Sequence, residues 1–408
     1  MPQVVELKDD KKEELIKLGR ERISWAQERM PVLSSLREEL KGLDGIQIGA
    51  CLHVTKETAV LMLALKSAGA QISLCGSNPL STQDDVALAL VEDGIDVYAW
   101  REQSEEDYRK CIDAVLAKGP EITMDDGGDL TVRAHELGLK AKGGTEETTT
   151  GVKRLKALMA QKGLLYPVVA ANDAYMKYLF DNRYGTGQSS IDGLLRGTSI
   201  LLAGKKFVVC GYGWVGRGIA MRARGMGSKV IVTEVDPIRA LEAHMDGYEV
   251  MPIQKAAEIG DIFLTATGDK DVISGKEMEK MKDDVFLANS GHFDVEVDVE
   301  YLREKGELIG KRGGIETFLI GGKRINLLGE GRLVNLALAE GHPPEVMDMS
   351  FAVQALSVQY LETEKLDKEV LTIPRELDEK IARMKLKAEG IEIDELTEEQ
   401  AEYLKSFR

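Results

Sequence analysis

The apolar run Phe207-Val208-Val209-Cys210 stops at Gly211-Tyr212-Gly213-Trp214-Val215-Gly216, and a helical pattern then runs through Met221 to about Gly227. Three glycines at this spacing, between a strand and a helix, constrain the fold more than any other segment. Gly211 permits a tight turn, Gly213 lets the backbone approach a pyrophosphate, and Gly216 allows close helix packing. The positive N-terminal end of the helix would then face the phosphates. The next strand ends at Glu234, close to the ~20-residue spacing at which a carboxylate meets the ribose of a dinucleotide. Its charge favours NAD over NADP, and Arg239 nearby softens that preference. With a further strand ending in Thr265-Ala266-Thr267-Gly268, the segment predicts a nicotinamide cofactor, NAD. The competing reading is a glycine-rich turn in an unrelated αβ protein.

The same alternation of strand and helix fills most of the chain. Residues 10–41 read as helix, interrupted at Pro31. Short apolar runs at 46–52, 70–75, 97–100, 121–124 and 167–171 alternate with helical stretches at 55–68, 82–92, 105–118 and 151–161. Residues 173–203 read as helical with a loop at 182–188, and a second alternation runs from Lys206 to about Leu328. Strand–helix–strand at this spacing means parallel sheets wrapped by helices. The predicted fold class is α/β: two doubly wound parallel-sheet domains, one for substrate and one a Rossmann NAD domain, plus a short helical C-terminal segment. The expected boundaries are 1–181, with 345–374 packing back onto it, then 188–340, then 375–408.

The balance of 53 Lys and Arg against 69 Asp and Glu leaves a net charge of −16, which repels nucleic-acid backbones and anionic membranes. The first residues show no apolar leader and no stretch is long enough to span a bilayer, so a cytoplasmic protein is expected. Cys51, Cys75, Cys111 and Cys210 are far apart in sequence and form no C-x-x-C pair, so no metal is expected.

Polar residues collect where strands end. His53 follows the strand ending near Leu52, and His292 sits in Asn289-Ser290-Gly291-His292-Phe293-Asp294. His342 lies in Gly341-His342-Pro343, whereas His135 and His244 fall in helical stretches and read as surface. Asp125-Asp126-Gly127-Gly128-Asp129 reads equally as an acidic turn or as a carboxylate at a strand tip with room for a ligand. Thr145-Glu146-Glu147-Thr148-Thr149-Thr150 precedes a helix; one hydroxyl suffices to cap it. The remainder fit either a solvated turn or a site for a phosphate or a polyhydroxylated ligand. Lys177 and Asp181, four apart, read as a surface ion pair or as a base and its partner. A base needs a lowered pKa, so burial or a cationic nicotinamide must outweigh the carboxylate.

Together these segments resemble S-adenosylhomocysteine hydrolase, over roughly residues 20–362. The resemblance rests on CLHVTKETAVL, NPLSTQDDVALAL, VYAWR, DDGGDLT, EETTTG, KYLFDNRYG, GYGWVGRG, TEVDPIRAL, GHFDVE, EGRLVNL and EGHP. The wording of GYGWVGRGIAMRARGMG and RYGTGQS is similar to archaeal members. The family implies oxidation of a ribose 3′-hydroxyl by tightly bound NAD, loss of homocysteine from C5′, addition of water and re-reduction. The products are adenosine and homocysteine. The resemblance places Lys177 and Asp181 at the 3′-hydroxyl, Glu147 on the ribose hydroxyls, and Asp126 and His53 at C4′ and C5′, with His292 nearby. Thr55, Glu57 and His342 correspond to base recognition. Cofactor contacts are expected from Thr148, Thr149, Thr150, Asn182, Gly211, Gly213, Trp214, Val215, Gly216, Glu234, Arg239, Thr267, Ser290, Gly291, His292, Asn335 and His342. Domain closure is expected to hinge near 182–187 and 341–344, and a homotetramer is implied.

Four departures from the familiar pattern stand out. Trp214 replaces a smaller acidic residue in the glycine loop, Thr186 stands where many members have cysteine, and Arg239 stands where many have asparagine. The chain stops at Phe407-Arg408 without the tail whose Lys and Tyr reach a neighbouring protomer's NAD, so weaker cofactor retention or a different contact between protomers is expected. Some relatives use S-inosylhomocysteine instead. Further alternatives are a conventional NAD-dependent dehydrogenase and a non-catalytic NAD-binding regulator.

Overall fold

The computed structural model describes residues 4 and 9–407. The opening stretch on which the leader expectation rests (1–3 and 5–8), and residue 408, lie outside the described residues. Among the described residues, no helix is long and apolar enough to cross a membrane.

Two sheets organise the chain. The first holds β1 (Gln47–Cys51), β2 (Gln71–Cys75), β3 (Asp96–Tyr98), β4 (Ile122–Asp125), β5 (Gly143–Glu146) and β6 (Val168–Ala170). The second holds β7 (Lys206–Cys210), β8 (Lys229–Thr233), β9 (Glu249–Val250), β10 (Ile262–Thr265), β11 (Val285–Asn289), β12 (Glu307–Arg312), β13 (Ile315–Ile320) and β14 (Lys323–Leu328). A last short strand, β15 (Val370–Leu371), returns to the first sheet beside β6, giving the order β15-β6-β5-β4-β1-β2-β3. The second sheet runs β12-β13-β14-β11-β10-β7-β8-β9. The central strands are buried almost residue for residue because helices cover both faces, as the continuous apolar runs require. Separate cores fill the two faces of each sheet: Leu61 and Met124 against Tyr166 and Val168, Phe207 and Leu264 against Phe263 and Leu287.

Strand order reverses between β1 and β4 in the first sheet and between β7 and β10 in the second, where β12, β13 and β14 turn back once more at the edge. Ligands bind beyond the strand carboxyl ends at such reversals. His53 and Asp126 follow β1 and β4; the glycine turn and Thr267 follow β7 and β10.

The structure departs from the expectations in several places. The second sheet is not wholly parallel: β13 pairs antiparallel with both β12 and β14. Gly313-Gly314 and Gly321-Gly322, all at positive φ, make the two-residue turns that join these strands. The loop expected at 182–188 is helical, a π-type turn at Asp181–Gly185 running straight into the helix Thr186–Thr198. β5, β9, β13 and β15 were not expected; β5 reads Gly-Gly-Thr-Glu, which carries no apolar signal. Cys51 and Cys75, distant in sequence, are register partners on adjacent strands and are buried free thiols. His135 is half-buried, with Nδ1 2.7 Å from Thr131 O and Nε2 accepting from Leu165 N, whereas His244 is exposed as read.

Candidate functional site

A cavity of about 350 Å³ lies where the carboxyl ends of both sheets meet. It is lined by every residue singled out for substrate or cofactor except Gly211, Gly216 and Glu234.

Lys177 sits on the short helix Tyr175–Tyr178 and is 4% exposed. Its Nζ donates to Asn182 Oδ1 (2.8 Å) and Asp181 Oδ1 (3.3 Å) and lies 3.7 Å from Glu147 Oε1. Burial pulls Lys177 down, but the carboxylates of Asp181, Glu147 and Asp126 outweigh it and hold the amine above its ordinary value. Burial alone therefore does not make it a base. Asp181 is desolvated, yet Lys177 and His342 keep it well below the usual carboxylate range. His342 Nδ1 is 3.3 Å from Asp181 Oδ2, and this contact raises the imidazole despite its burial. Its Nε2 is 3.1 Å from Thr186 Oγ1.

The glutamate that ends β5 and the one that follows it have different work. Glu146 points inward, accepting from Gly127 N and Thr148 N, each at 2.9 Å. Glu147 faces the cavity; burial pushes its carboxyl up to about 7 against the pull of Lys177. Ser350 Oγ and Gln354 Nε2 (2.5 Å) donate to its two oxygens from the helix Pro344–Thr363. Neither partner was read from the sequence, where residues 345–365 read only as a helix. Thr148 caps the next helix through Thr150 N and Gly151 N, leaving Thr149 and Thr150 on the cavity wall.

His53, Asp126 and His292 form a second group. Ser81 Oγ donates to Asn78 O (3.0 Å), so the 2.7 Å contact from His53 Nδ1 is an N–H donated to Ser81. His53 Nε2 is then bare and faces Asp126 Oδ2 at 3.5 Å. Burial pushes His53 down to about 4, and it also lowers His292, whose Nδ1 is 3.8 Å from Asp126 Oδ1. Gly127 is required here: its φ is +117°, and a Cβ would meet His292 Nε2 at 2.3 Å. Although no metal was expected, one ligand atom from each of these three residues lies within 4.8 Å of the others, close enough to share a cation.

The cofactor half fits a dinucleotide. Gly211 has φ +97°, and a Cβ on Gly216 would meet Gly211 O at 1.9 Å, so turn and helix need both glycines. A Cβ on Gly213 would meet nothing nearer than Arg239 Nη1 at 3.6 Å, leaving open space before the helix Trp214–Gly225, whose first N–H groups have no side-chain cap. Glu234 lies off the cavity: it accepts from Tyr212 N (2.7 Å), Val235 N (2.7 Å) and Asp236 N (3.1 Å), bracing the turn. Asn335 is buried and its Oδ1 has no partner, a free acceptor at the cavity edge. Thr267 and Gly268 are held by Glu296, which the sequence reading missed.

Residues 182–341 match the family model described as S-adenosyl-L-homocysteine hydrolase, NAD binding domain, and residues 9–140 match S-adenosyl-L-homocysteine hydrolase. The chain belongs to the S-adenosyl-L-homocysteine hydrolase family. It is 58% identical to an adenosylhomocysteinase of Sulfurisphaera tokodaii, over 97% of each chain. It is 55% identical to an S-inosyl-L-homocysteine hydrolase of Methanopyrus kandleri, over 95% of each. The fold is also similar to the crystal structure of a dipicolinate synthase chain from Bacillus halodurans (TM-score 0.51, 15% identity, 79% of this chain and 99% of that one). As an enzyme of this family the chain takes NAD as cofactor, and the glycine turn, the open space above Gly213 and the free Asn335 acceptor fit it.

Proposed function

We propose that the chain catalyses the reversible hydrolysis of S-adenosyl-L-homocysteine to adenosine and L-homocysteine. One observation carries the reading: two groups of acid–base residues meet a dinucleotide turn in one cavity, though they come from different strand ends. In this reading residues 1–181 with 345–374 hold substrate, 188–340 hold the cofactor, and 375–408 brace the first part.

Bound NAD supplies a reversible hydride acceptor at the ribose 3′-carbon. Lys177 Nζ takes the proton of the 3′-hydroxyl, with Asp181 and Asn182 holding the amine in place. Glu147 accepts hydrogen bonds from the ribose hydroxyls, its orientation fixed by Ser350 and Gln354. Asp126 removes the C4′ proton, which a 3′-ketone acidifies, and homocysteine leaves with the electron pair of its C5′–S bond. The C4′ proton passes from Asp126 to the bare Nε2 of His53, 3.5 Å away, and on to the departing sulfur; when water adds, His53 Nε2 takes its proton and passes it through Asp126 back to C4′. His292 closes the wall over these groups, limiting the entry of water. Each positioned acid or base of this kind typically contributes ~10²–10⁴-fold. Thr55 and Glu57 face the base. Thr148, Thr149, Thr150, Asn182, Trp214, Val215, Arg239, Thr267, Ser290, Gly291 and Asn335 contact the cofactor, while Gly211, Gly216 and Glu234 shape its turn. The helical turn at Asp181–Gly185 and the segment 341–344 are the hinges, and the working form is a cytoplasmic homotetramer.

The test is to denature purified protein, assay released NAD, and then run the synthetic direction with homocysteine and a nucleoside in heavy water. Released NAD, and deuterium at C4′ of the nucleoside, are expected. Turnover without deuterium at C4′ refutes the mechanism, and net accumulation of NADH returns the chain to the ordinary dehydrogenases.

A further inference from the structure

Glu57 opens the helix Lys56–Ser67, is 2% exposed, and lines the cavity with Leu52, Thr55, Met347 and Phe351. A carboxylate buried this deeply takes up a proton unless a charge compensates it. The compensation comes from its neighbour in sequence. Lys56 Nζ lies 3.2 Å from Glu57 Oε1 and 3.1 Å from Glu340 Oε2. Glu340 is held in turn by Arg22 Nη2 at 2.7 Å, and Arg22 Nη1 lies 2.9 Å from Asp85 Oδ2. Charges alternate in sign along this chain, from the cavity wall to the half-exposed Glu340 and back to the buried Asp85. Glu57 Oε1 is buried and, beyond its ion pair with Lys56, has no aligned hydrogen-bond partner. Burial raises the Glu57 carboxyl and Lys56 is the largest influence lowering it. Glu340 stands just before Gly341 and His342, so the segment that brings His342 to Asp181 also brings Lys56 its second partner.

We propose that Lys56 sets the choice of purine: by holding Glu57 as an anion it makes this wall an acceptor, and so selects a 6-amino nucleoside, adenosine, over a 6-oxo nucleoside, inosine. The proposal rests on the function argued above and on the base sitting against Thr55 and Glu57. An ionised carboxylate accepts from the exocyclic amine of adenine but faces the carbonyl lone pairs of hypoxanthine. A neutral Glu57, left without Lys56, can donate to that carbonyl instead. Lys56 touches neither base nor sugar in this scheme; it is a positioning residue acting through Glu57.

The experiment measures kcat and KM for adenosine and for inosine, in the synthetic direction with homocysteine, on NAD-loaded wild type, Lys56→Met, Lys56→Arg and Glu57→Gln. Wild type is expected to favour adenosine in kcat/KM by more than about tenfold, since a buried polar mismatch discriminates strongly. Lys56→Met should narrow that ratio by about tenfold or more, chiefly through the KM values, and Lys56→Arg should restore it. Glu57→Gln, whose amide can donate to a carbonyl, should narrow it as well. The proposal is overturned if folded Lys56→Met keeps the wild-type ratio, if Lys56→Arg fails to restore it, or if wild type favours inosine. Should Lys56→Met not fold, an unchanged ratio in Glu57→Gln overturns it alone. Wild type inactive on both nucleosides refutes the function itself, whereas active wild type with an unmoved ratio refutes only the role of Lys56.

Discussion

Replacing Ser350 with alanine tests the site through a residue that lies on a distant helix and touches no substrate in the proposed scheme. Burial already holds the Glu147 carboxyl at about 7, and the Ser350 hydroxyl is one of the groups that keep it from rising further. A hydrogen bond to a charged group contributes ~1.5–3 kcal/mol. At ~1.36 kcal/mol per pKa unit, its loss raises Glu147 by about one to two units. If the ribose hydroxyls require an ionised Glu147, the acid limb of kcat/KM must move to higher pH by that amount. Activity near neutrality then falls about tenfold or more and recovers in alkaline buffer. The assay is the pH profile of kcat/KM for adenosine with homocysteine, with circular dichroism melts to confirm that the variant is folded. A uniform loss with an unmoved limb would mean that Ser350 only packs the core. An unchanged profile would refute the idea that Glu147 works as an anion.

Three other perturbations follow from the same geometry. Gly216→Ala places a Cβ 1.9 Å from Gly211 O; the required shift costs ~1–3 kcal/mol and should lower the NAD recovered from purified protein about tenfold or more. NAD content equal to wild type would show that the turn tolerates a side chain. His53 has its pKa depressed from 6.5 to about 4, so its contribution to stability is full above 6.5 and is lost as pH falls toward 4. Over that interval the unfolding free energy of wild type should fall by up to about 3 kcal/mol relative to His53→Asn, measured in urea, and a constant difference would contradict the assignment. Asp378 accepts from Tyr175 N (2.6 Å) and Met176 N (2.9 Å), capping the short helix that carries Lys177. Asp378→Ala should cost ~0.5–2 kcal/mol of stability and lower kcat with NAD content unchanged; an unaffected kcat would separate the cap from the chemistry.

Residues that act where they stand in sequence were legible; residues that act by coming back from elsewhere were not. The glycine turn after β7 declares itself because strand, glycines and helix are contiguous; Gly211 and Gly216 each have a steric reason in the structure, and Gly213 leaves open space before the helix. His53 and Asp126 could be suspected because strand ends are marked by the stop of an apolar run. Ser350, Gln354 and Asp378 had no such signal, since their partners are about two hundred residues away. Ser81 carried no signal either, only 28 residues from His53 but on a separate loop, although it decides which nitrogen of His53 is bare. The strands that escaped notice are those without apolar content, such as Gly143–Glu146, or those of two residues, such as β15, which neighbouring strands impose rather than local propensity. The turns joining β12, β13 and β14 carry paired glycines, a hairpin signal that the strand–helix alternation to Leu328 left out, and with it the antiparallel edge.

The charge around Lys177 explains why so many acids surround one amine. With Asp181 at 3.3 Å and Glu147 at 3.7 Å, the ammonium is held above its ordinary pKa, which is the wrong direction for a base at neutral pH. The acids nevertheless make burial of the amine tolerable, because an isolated buried cation would be far more costly. In the proposed mechanism, what would convert this ion cluster into a base is a second positive charge beside it, for like charges disfavour the protonated form. A bound cationic nicotinamide would, in that mechanism, supply such a charge beside Lys177. In that proposal Lys177 would take the 3′-hydroxyl proton at the start of the cycle and hold it while the ketone exists, with Asp181 and Glu147 supplying the bias in the second state. In the proposed mechanism, the same acids that hold the amine protonated are what would let one lysine serve both halves of a reversible oxidation.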